Sequence, residues 1–183
     1  MNDGTRIGIY DAQQLAGVLD GMARRLAGLL PDDSEIVLVG ILRRGVPLAA
    51  LLGERLPALG VRLVERLELK VKRYADDLTL LYPKTLLTAN GAQADIELSG
   101  KVVVVVDDVL YRGHSLLRVV EYLAQRGAAE IRSVVLVDRG VSLLPIHADI
   151  TGMRLDVAHG SIVEVHVPPY ESDFSIELLS RAR

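Results

Sequence analysis

Residues 102–115 read Val-Val-Val-Val-Val-Asp-Asp-Val-Leu-Tyr-Arg-Gly-His-Ser. Five consecutive valines with no polar interruption predict a strand buried on both faces, the pattern of a parallel sheet. Downstream, Leu116, Val119, Val120 and Leu123 recur at helical spacing. The unit is therefore strand, glycine-bearing turn, helix. Parallel α/β sheets bind ligands beyond the carboxyl ends of their strands, so residues 107–115 occupy the place where chemistry is expected.

The two halves of that turn differ in character. Asp107 and Asp108 cannot point the same way from extended backbone. Ionised carboxylates only accept hydrogen bonds, so the pair suits sugar hydroxyls or a metal better than phosphate. Arg112 is cationic, Gly113 tolerates unusual backbone angles and Ser115 offers a hydroxyl. The amides opening the next helix favour an anion. Acids beside an anion cradle suit a sugar phosphate. The plain alternative is a strand ending in solvated acids and a helix cap.

Composition sets the bounds. The chain has 183 residues, half of them hydrophobic, which predicts one α/β domain with a sizeable core. It has no cysteine, which excludes disulfides, thiol chemistry and cysteine zinc sites and fits a cytoplasmic protein. A formal net charge of −3 gives no whole-chain electrostatic case for nucleic acid. No apolar leader and no membrane-spanning run is present, so no membrane partner is expected.

Other segments support this frame. Asp11 is placed to cap a helix reaching about residue 30, with Leu15, Val18, Leu19, Met22, Leu26 and Leu29 as its apolar stripe. Residues 36–39 predict a short buried strand. Gly40-Ile41-Leu42-Arg43-Arg44-Gly45 follows, then a helix starting near Pro47. A glycine turn with two arginines before a helix is a second candidate anion site; solvated arginines on a connecting turn are the alternative.

Residues 61–72 alternate, predicting a half-exposed strand near a sheet edge. Residues 74–100 are irregular, with Asn90-Gly91 as a hairpin tip, a length typical of a lid or binding loop. Lys84 there is either a lid cation or a solvated lysine. Residues 131–137 form another buried strand, leading into Asp138-Arg139-Gly140, where the charges either meet a ligand or pair locally to cap a turn. A last strand at 162–167 ends at Pro168-Pro169, and a short closing element spans 173–179. His147, His159 and His166 show no metal-ligand spacing.

The string Val-Val-Val-Asp-Asp-Val-Leu-Tyr-x-Gly-x-Ser resembles the phosphoribosyl pyrophosphate (PRPP) motif of type I phosphoribosyltransferases. Gly40-Ile41-x-x-Arg44-Gly45 and the segment 135–149, Val-Leu-Val-Asp-Arg-Gly-x-x-x-Leu-Pro-Ile-x-Ala-Asp, resemble the PyrR branch of that family. PyrR proteins are pyrimidine-operon regulators with uracil phosphoribosyltransferase activity. Arg73-Tyr74-Ala75-Asp76-Asp77-Leu78-Thr79 is similar too, with a small insertion before Asp76. The likeness runs from about residue 11 to 167. There is no Walker A lysine loop and no Rossmann glycine fingerprint.

The resemblance implies a type I phosphoribosyltransferase fold over residues 1–183: an α/β domain with a central, mostly parallel sheet flanked by helices. A small hood, mainly at 138–160, and a flexible lid hairpin at 74–100 would complete it. It implies transfer of ribose 5-phosphate from PRPP to a nucleobase, most simply uracil to give UMP and pyrophosphate, with Mg²⁺ carried mainly by PRPP. Asp107 and Asp108 would be the catalytic acids, touching the ribose hydroxyls and the metal. Arg43, Arg44 and Gly45 would belong to the pyrophosphate loop. Val109, Leu110, Tyr111, Arg112, Gly113, His114 and Ser115 would form the 5′-phosphate turn, and Asp138 and Arg139 would lie by the base. A cytoplasmic homodimer or higher homo-oligomer is expected.

Departures from the family pattern stand at Arg112 and Ser115, each a threonine in the family, and at His114, an arginine there. RNA-binding members carry basic or histidine residues after Asp-Arg-Gly, where this chain has Val141-Ser142-Leu143. Affinity for RNA rests heavily on cation–phosphate contacts, so this argues against RNA as a partner; Arg24, Arg25 and Arg139 are the cations left to support it. The second reading is a nucleotide-sensing, RNA-binding regulator with weak or no catalysis.

Overall fold

The computed structural model describes residues 5–70, 86–88, 97–157 and 161–180. Its elements are β1 (Thr5–Tyr10), α1 (Ala12–Leu29), β2 (Ile36–Ile41), α2 (Gly45–Gly53), a 3₁₀ turn (Pro57–Leu59), β3 (Leu63–Lys70), β4 (Leu86–Thr88), β5 (Val102–Leu110), α3 (His114–Gln125), β6 (Glu130–Asp138), β7 (Ile150–Arg154), β8 (Ile162–His166) and β9 (Ser175–Ser180). The main sheet has the order β4-β3-β2-β5-β6-β7. All its pairings are parallel except β3 with β4. This is the central, mostly parallel sheet flanked by helices that the sequence predicts. No helix among the described residues is long and apolar enough to cross a membrane.

The valine run divides the core. Val102, Val104 and Val106 pack into a cluster with α1, α2, β6, β7 and the second sheet. Val103 and Val105 pack into the opposite cluster with α3 and with Val37, Val39, Leu67 and Leu69. Alternation across a strand is what sends neighbours to opposite faces. All five valines are buried. At about 1.5 kcal/mol or more per fully buried valine, this strand contributes substantially to the core.

Helix α1 follows most of the expected stripe, but Val18 is only half-buried, Leu29 at the last turn is exposed, and Ala23 is buried in addition. Leu15, Leu19, Met22, Ala23 and Leu26 are its buried residues. Asp11 is its N-cap, and Gln14 completes a capping box: the Gln14 amide donates to Asp11 at 2.8 Å and the Asp11 amide donates to the Gln14 side chain at 3.0 Å. The second helix starts at Gly45, two residues before Pro47. The alternating segment becomes β3, second from the sheet edge, since β4 lies outside it. Most of the expected lid, with Asn90-Gly91 and Lys84, lies outside the described residues.

A separate antiparallel sheet has the order β1-β9-β8. Its strands come from residues 5–10, 162–166 and 175–180, while the 138–160 segment expected to make up most of the hood runs in sequence from the end of β6 to just before β8. Within that segment Ile150–Arg154 joins the main sheet beside β6. The strand at 162–166 is not the last, because the closing element is itself a strand and carries the pairing. Periodicity gave no warning of β1, whose residues 5–8 are exposed.

Gly45 is required by space. A Cβ there would sit 2.4 Å from the Val106 carbonyl oxygen and 3.3 Å from the Asp107 Cα. Backbone cannot yield cheaply, so Gly45→Ala should destabilise the protein by about 3 kcal/mol, the upper part of the overpacking range. Gly17→Ala, on an exposed face of α1 with nothing within 4 Å of the new methyl, should instead stabilise by about 0.5–1 kcal/mol. Urea midpoints of the two variants will test the contrast. An undisturbed Gly45→Ala would mean the turn does not lie on the strand.

Candidate active site

The acid pair lies inside β5, not after it. The strand continues to Leu110, because β6 accompanies it that far, pairing Asp107 with Val135 and Leu110 with Asp138. On the other side β2 pairs only as far as Gly40 with Val106. The last four residues of β5 therefore have a strand on one edge only. The start of α2 comes close to the point where β2 stops pairing: a Cβ on Gly45 would meet the Val106 carbonyl and the Asp107 Cα.

Asp108 is buried and Asp107 half-buried. Each carboxylate accepts from the next backbone amide at 2.9 Å: Asp107 Oδ1 from Asp108, and Asp108 Oδ1 from Val109. These bonds use one oxygen of each acid. Arg44 Nη1 lies 3.9 Å from Asp108 Oδ2.

Arg44 is fixed from its other side by Glu171. Its Nη2 donates to Glu171 Oε1 at 2.7 Å, and its Nε donates to Oε1 and Oε2 at 3.2 and 3.3 Å. Glu171 Oε2 also accepts from the Val167 amide at 2.8 Å. The hydrogen bonds from Arg44 hold the Glu171 carboxyl below the ordinary glutamate range, and those same bonds raise the Arg44 guanidinium. Beside them the Arg43 guanidinium lies 5.1 Å from the centre of the Tyr170 ring. Two adjacent arginines are thus held by two adjacent residues of the turn after β8. The peptides Leu42-Arg43 and Pro168-Pro169 are both cis. Sequence reading found the arginines but not Tyr170 or Glu171.

The turn after β5 takes the form its glycine allows. Gly113 is the N-cap of α3 with φ of 85°, a left-handed conformation that side chains with a Cβ rarely adopt. No side chain caps this end. The opening amides have no partner within the helix. Residues 141–144 lie against the turn. The Leu143 amide donates to the Arg112 carbonyl at 3.3 Å, and a Cβ on Gly113 would come 2.8 Å from Ser142 Oγ.

Arg112 and Arg139 lie by one aromatic ring, their guanidinium carbons 5.3 and 5.4 Å from the centre of Tyr111. Such contacts contribute about 0.5–2 kcal/mol. The Asp138-Arg139 ion pair weighed from sequence is not among the described interactions. Asp138 caps its own turn, accepting from the Gly140 amide at 2.8 Å, whereas Arg139 donates to the Ser161 carbonyl at 3.2 Å. Arg139 is buried, with only 8% exposed, which removes it from the cations available to an RNA backbone. Arg25 donates to the Thr151 carbonyl at 2.6 Å.

Although the histidines lack ligand spacing in sequence, folding brings His166 beside two acids. Its Nε2 is 3.5 Å from Glu177 and 3.9 Å from Glu164. Glu164 and Glu177 face each other across β8 and β9, and the Arg6 guanidinium bonds both, at 3.0 Å to Glu177. Strand pairing therefore presents two like charges that one cation offsets. His159 lies outside the described residues.

Residues 8–173 match the phosphoribosyl transferase domain family. Among curated proteins, the "Bifunctional protein PyrR" of Gloeothece citriformis is 36% identical over 172 residues, covering 93% of this chain and 96% of that protein. The protein of the same name from Elusimicrobium minutum is 34% identical over 172 residues, covering 93% and 95%. Among solved structures, the hypoxanthine phosphoribosyltransferase of Trypanosoma cruzi superposes with a TM-score of 0.73 at 18% identity, covering 96% of this chain and 97% of that one. A second structure of that enzyme gives 0.75 at 19%, covering 99% and 94%. At those identities the structures speak for the fold.

The ion pair predicts an acid-side loss of stability. The folded-state pKa of Glu171 is depressed, so its contribution is whole above the ordinary glutamate value of about 4.3 and is lost as pH falls from there through the folded-state value. Urea midpoints followed from about pH 7 to about pH 3 should fall less steeply in Glu171→Gln than in the wild type. Parallel curves would show that the pair contributes no stability.

Proposed function

The chain belongs to the phosphoribosyl transferase domain family, and from that premise we propose that it transfers the ribose 5-phosphate of PRPP to uracil, giving UMP and pyrophosphate. The observation that carries this reading is the buried Asp108 at the carboxyl end of the central strand, with Asp107 before it and Arg44 3.9 Å away. Acids and a guanidinium at one strand end suit a ligand that carries hydroxyls and phosphates together.

In this reading Asp107 and Asp108 accept from the ribose hydroxyls and stabilise the positive charge that builds at C1′. The opening amides of α3, with the Ser115 hydroxyl, hold the 5′-phosphate. Arg44 and the 40–45 turn hold the pyrophosphate. The C1′–oxygen bond to pyrophosphate breaks, its electron pair leaving with the pyrophosphate oxygen, as a ring nitrogen of the base bonds to C1′, and the proton on that nitrogen passes to solvent or to the departing pyrophosphate. Backbone groups near Asp138 and Arg139 meet the edge of the pyrimidine. Most of the rate comes from holding these parts in place.

The site residues fit Mg²⁺: Asp107 and Asp108 present carboxylate oxygens, the donor type a hard cation takes. When bound with the diphosphate, Mg²⁺ would neutralise charge on the leaving group.

A second reading is a nucleotide-sensing, RNA-binding regulator on the same scaffold. The curated relatives' name, bifunctional, supports it. Against it stand Val141 and Leu143, exposed by 42% and 69% in the place where RNA-binding members are basic.

The test is pyrophosphate release from PRPP and Mg²⁺ with uracil, orotate, hypoxanthine, guanine, adenine or no base. Release with uracil, matched by UMP, is expected. Asp107→Asn and Asp108→Asn should each cut kcat/KM by about a hundredfold or more with unchanged melting. Full activity in both variants would refute the assignment of the acids. No release with any base, together with salt-dependent binding of leader RNA, would replace the enzyme with the regulator.

A further inference from the structure

Arg44 is the only described cation beside the acid pair that is gripped from outside the loop that carries it by two bonds to one carboxylate. Glu171 occupies the Nε and Nη2 side of the guanidinium. The Nη1 side is turned toward Asp108. A guanidinium has five N–H donors in a fixed fork, so a bidentate hold on one edge orients the remaining donors. Glu171 is itself anchored, because its Oε2 accepts from the Val167 amide. On the neighbouring residue the contact is of another kind, the Arg43 guanidinium lying over the Tyr170 ring.

We propose that Glu171 is a positioning residue for diphosphate: it aims the free edge of Arg44 at the strand end where Asp108 stands. This rests on the reading that Arg44 holds pyrophosphate. Glu171 makes no contact with substrate in this account and acts through Arg44. A carboxylate so near a diphosphate site could also act as a competitor, neutralising Arg44 and weakening anion binding. The two roles have opposite signs when the carboxylate is removed.

Titration calorimetry with pyrophosphate and Mg²⁺ reads the sign directly, with no base and no turnover needed. Glu171→Ala should weaken pyrophosphate about tenfold, the scale of one lost charge-assisted hydrogen bond. Glu171→Gln, which keeps an acceptor for either Arg44 or Val167, should fall between. In an Arg44→Ala background, Glu171→Ala should add nothing beyond about twofold, because the two act as one unit. In the turnover assay KM for PRPP should rise with kcat within about threefold, the signature of lost ground-state binding.

Tighter or unchanged binding in Glu171→Ala overturns the proposal. Full effects that multiply in the double variant also overturn it, since Glu171 would then act through the 167–171 turn alone. If Glu171→Ala fails to fold, Glu171→Gln is read by the same two rules. Wild-type protein that binds neither PRPP nor pyrophosphate would remove the diphosphate site itself, and the proposal with it. Binding in the wild type that Glu171→Ala leaves intact would remove only the proposal.

Discussion

The central strand is paired on both edges through Val106 and on one edge from Asp107 to Leu110. Backbone groups that lose a partner strand must find other company, and a turn placed there lies against the strand rather than beside it. The start of α2 approaches the strand where the second partner ends, so close to Val106 and Asp107 that residue 45 has no room for a Cβ. The uneven ending of two neighbouring strands thus brings two loops, 42–45 and 111–115, to a single acid pair. The valines before it, buried alternately in two cores, make the platform rigid. The same packing that stabilises the sheet also fixes where its polar end begins.

Charge at that end is balanced among few groups. Asp108 and Glu171 flank Arg44, and each carboxylate also accepts from one backbone amide. Charge-assisted bonds of this kind are roughly twice as strong as neutral ones. They are formed within a site only partly open to water, where screening is weaker than at the surface. The second sheet repeats the motif with Arg6 between Glu164 and Glu177, on an exposed arginine where the pairing is worth less. Similar groups therefore act with different weight in the two places, and burial sets the difference.

Much of this was legible in the chain. The valine run, the Asp11 cap, the left-handed Gly113 and the arginine turn follow from local rules, because periodicity, capping and backbone freedom act over a few residues. Glu171 was not legible. It meets Arg44 across 127 positions, and its own neighbourhood, Pro-Pro-Tyr-Glu-Ser-Asp, reads as a polar turn. The same holds for β1: a six-residue strand whose first four residues are exposed has no pattern of its own and is defined by β9, far away in sequence. Arg139 counted among the cations that could meet RNA, yet the Tyr111 ring and the Ser161 carbonyl enclose it. Local chemistry fixed the strand ends; long-range pairing decided which side chains share them.

The pairing of β1 with β9 has a consequence for synthesis on the ribosome. Residues 5–10 find their partner only in residues 176–180. At about 5–20 residues per second, the first strand emerges roughly 10–30 s before its partner does. During that interval it is an unpaired edge, the kind of surface on which chains associate wrongly. Its shortness and the charge of Arg6 are the features that make such an edge a poor template. The main sheet, from β2 to β7, ends at residue 154 and so leaves the ribosome ahead of the last strand. The nascent chain thus acquires its acid-bearing sheet first and its second sheet last.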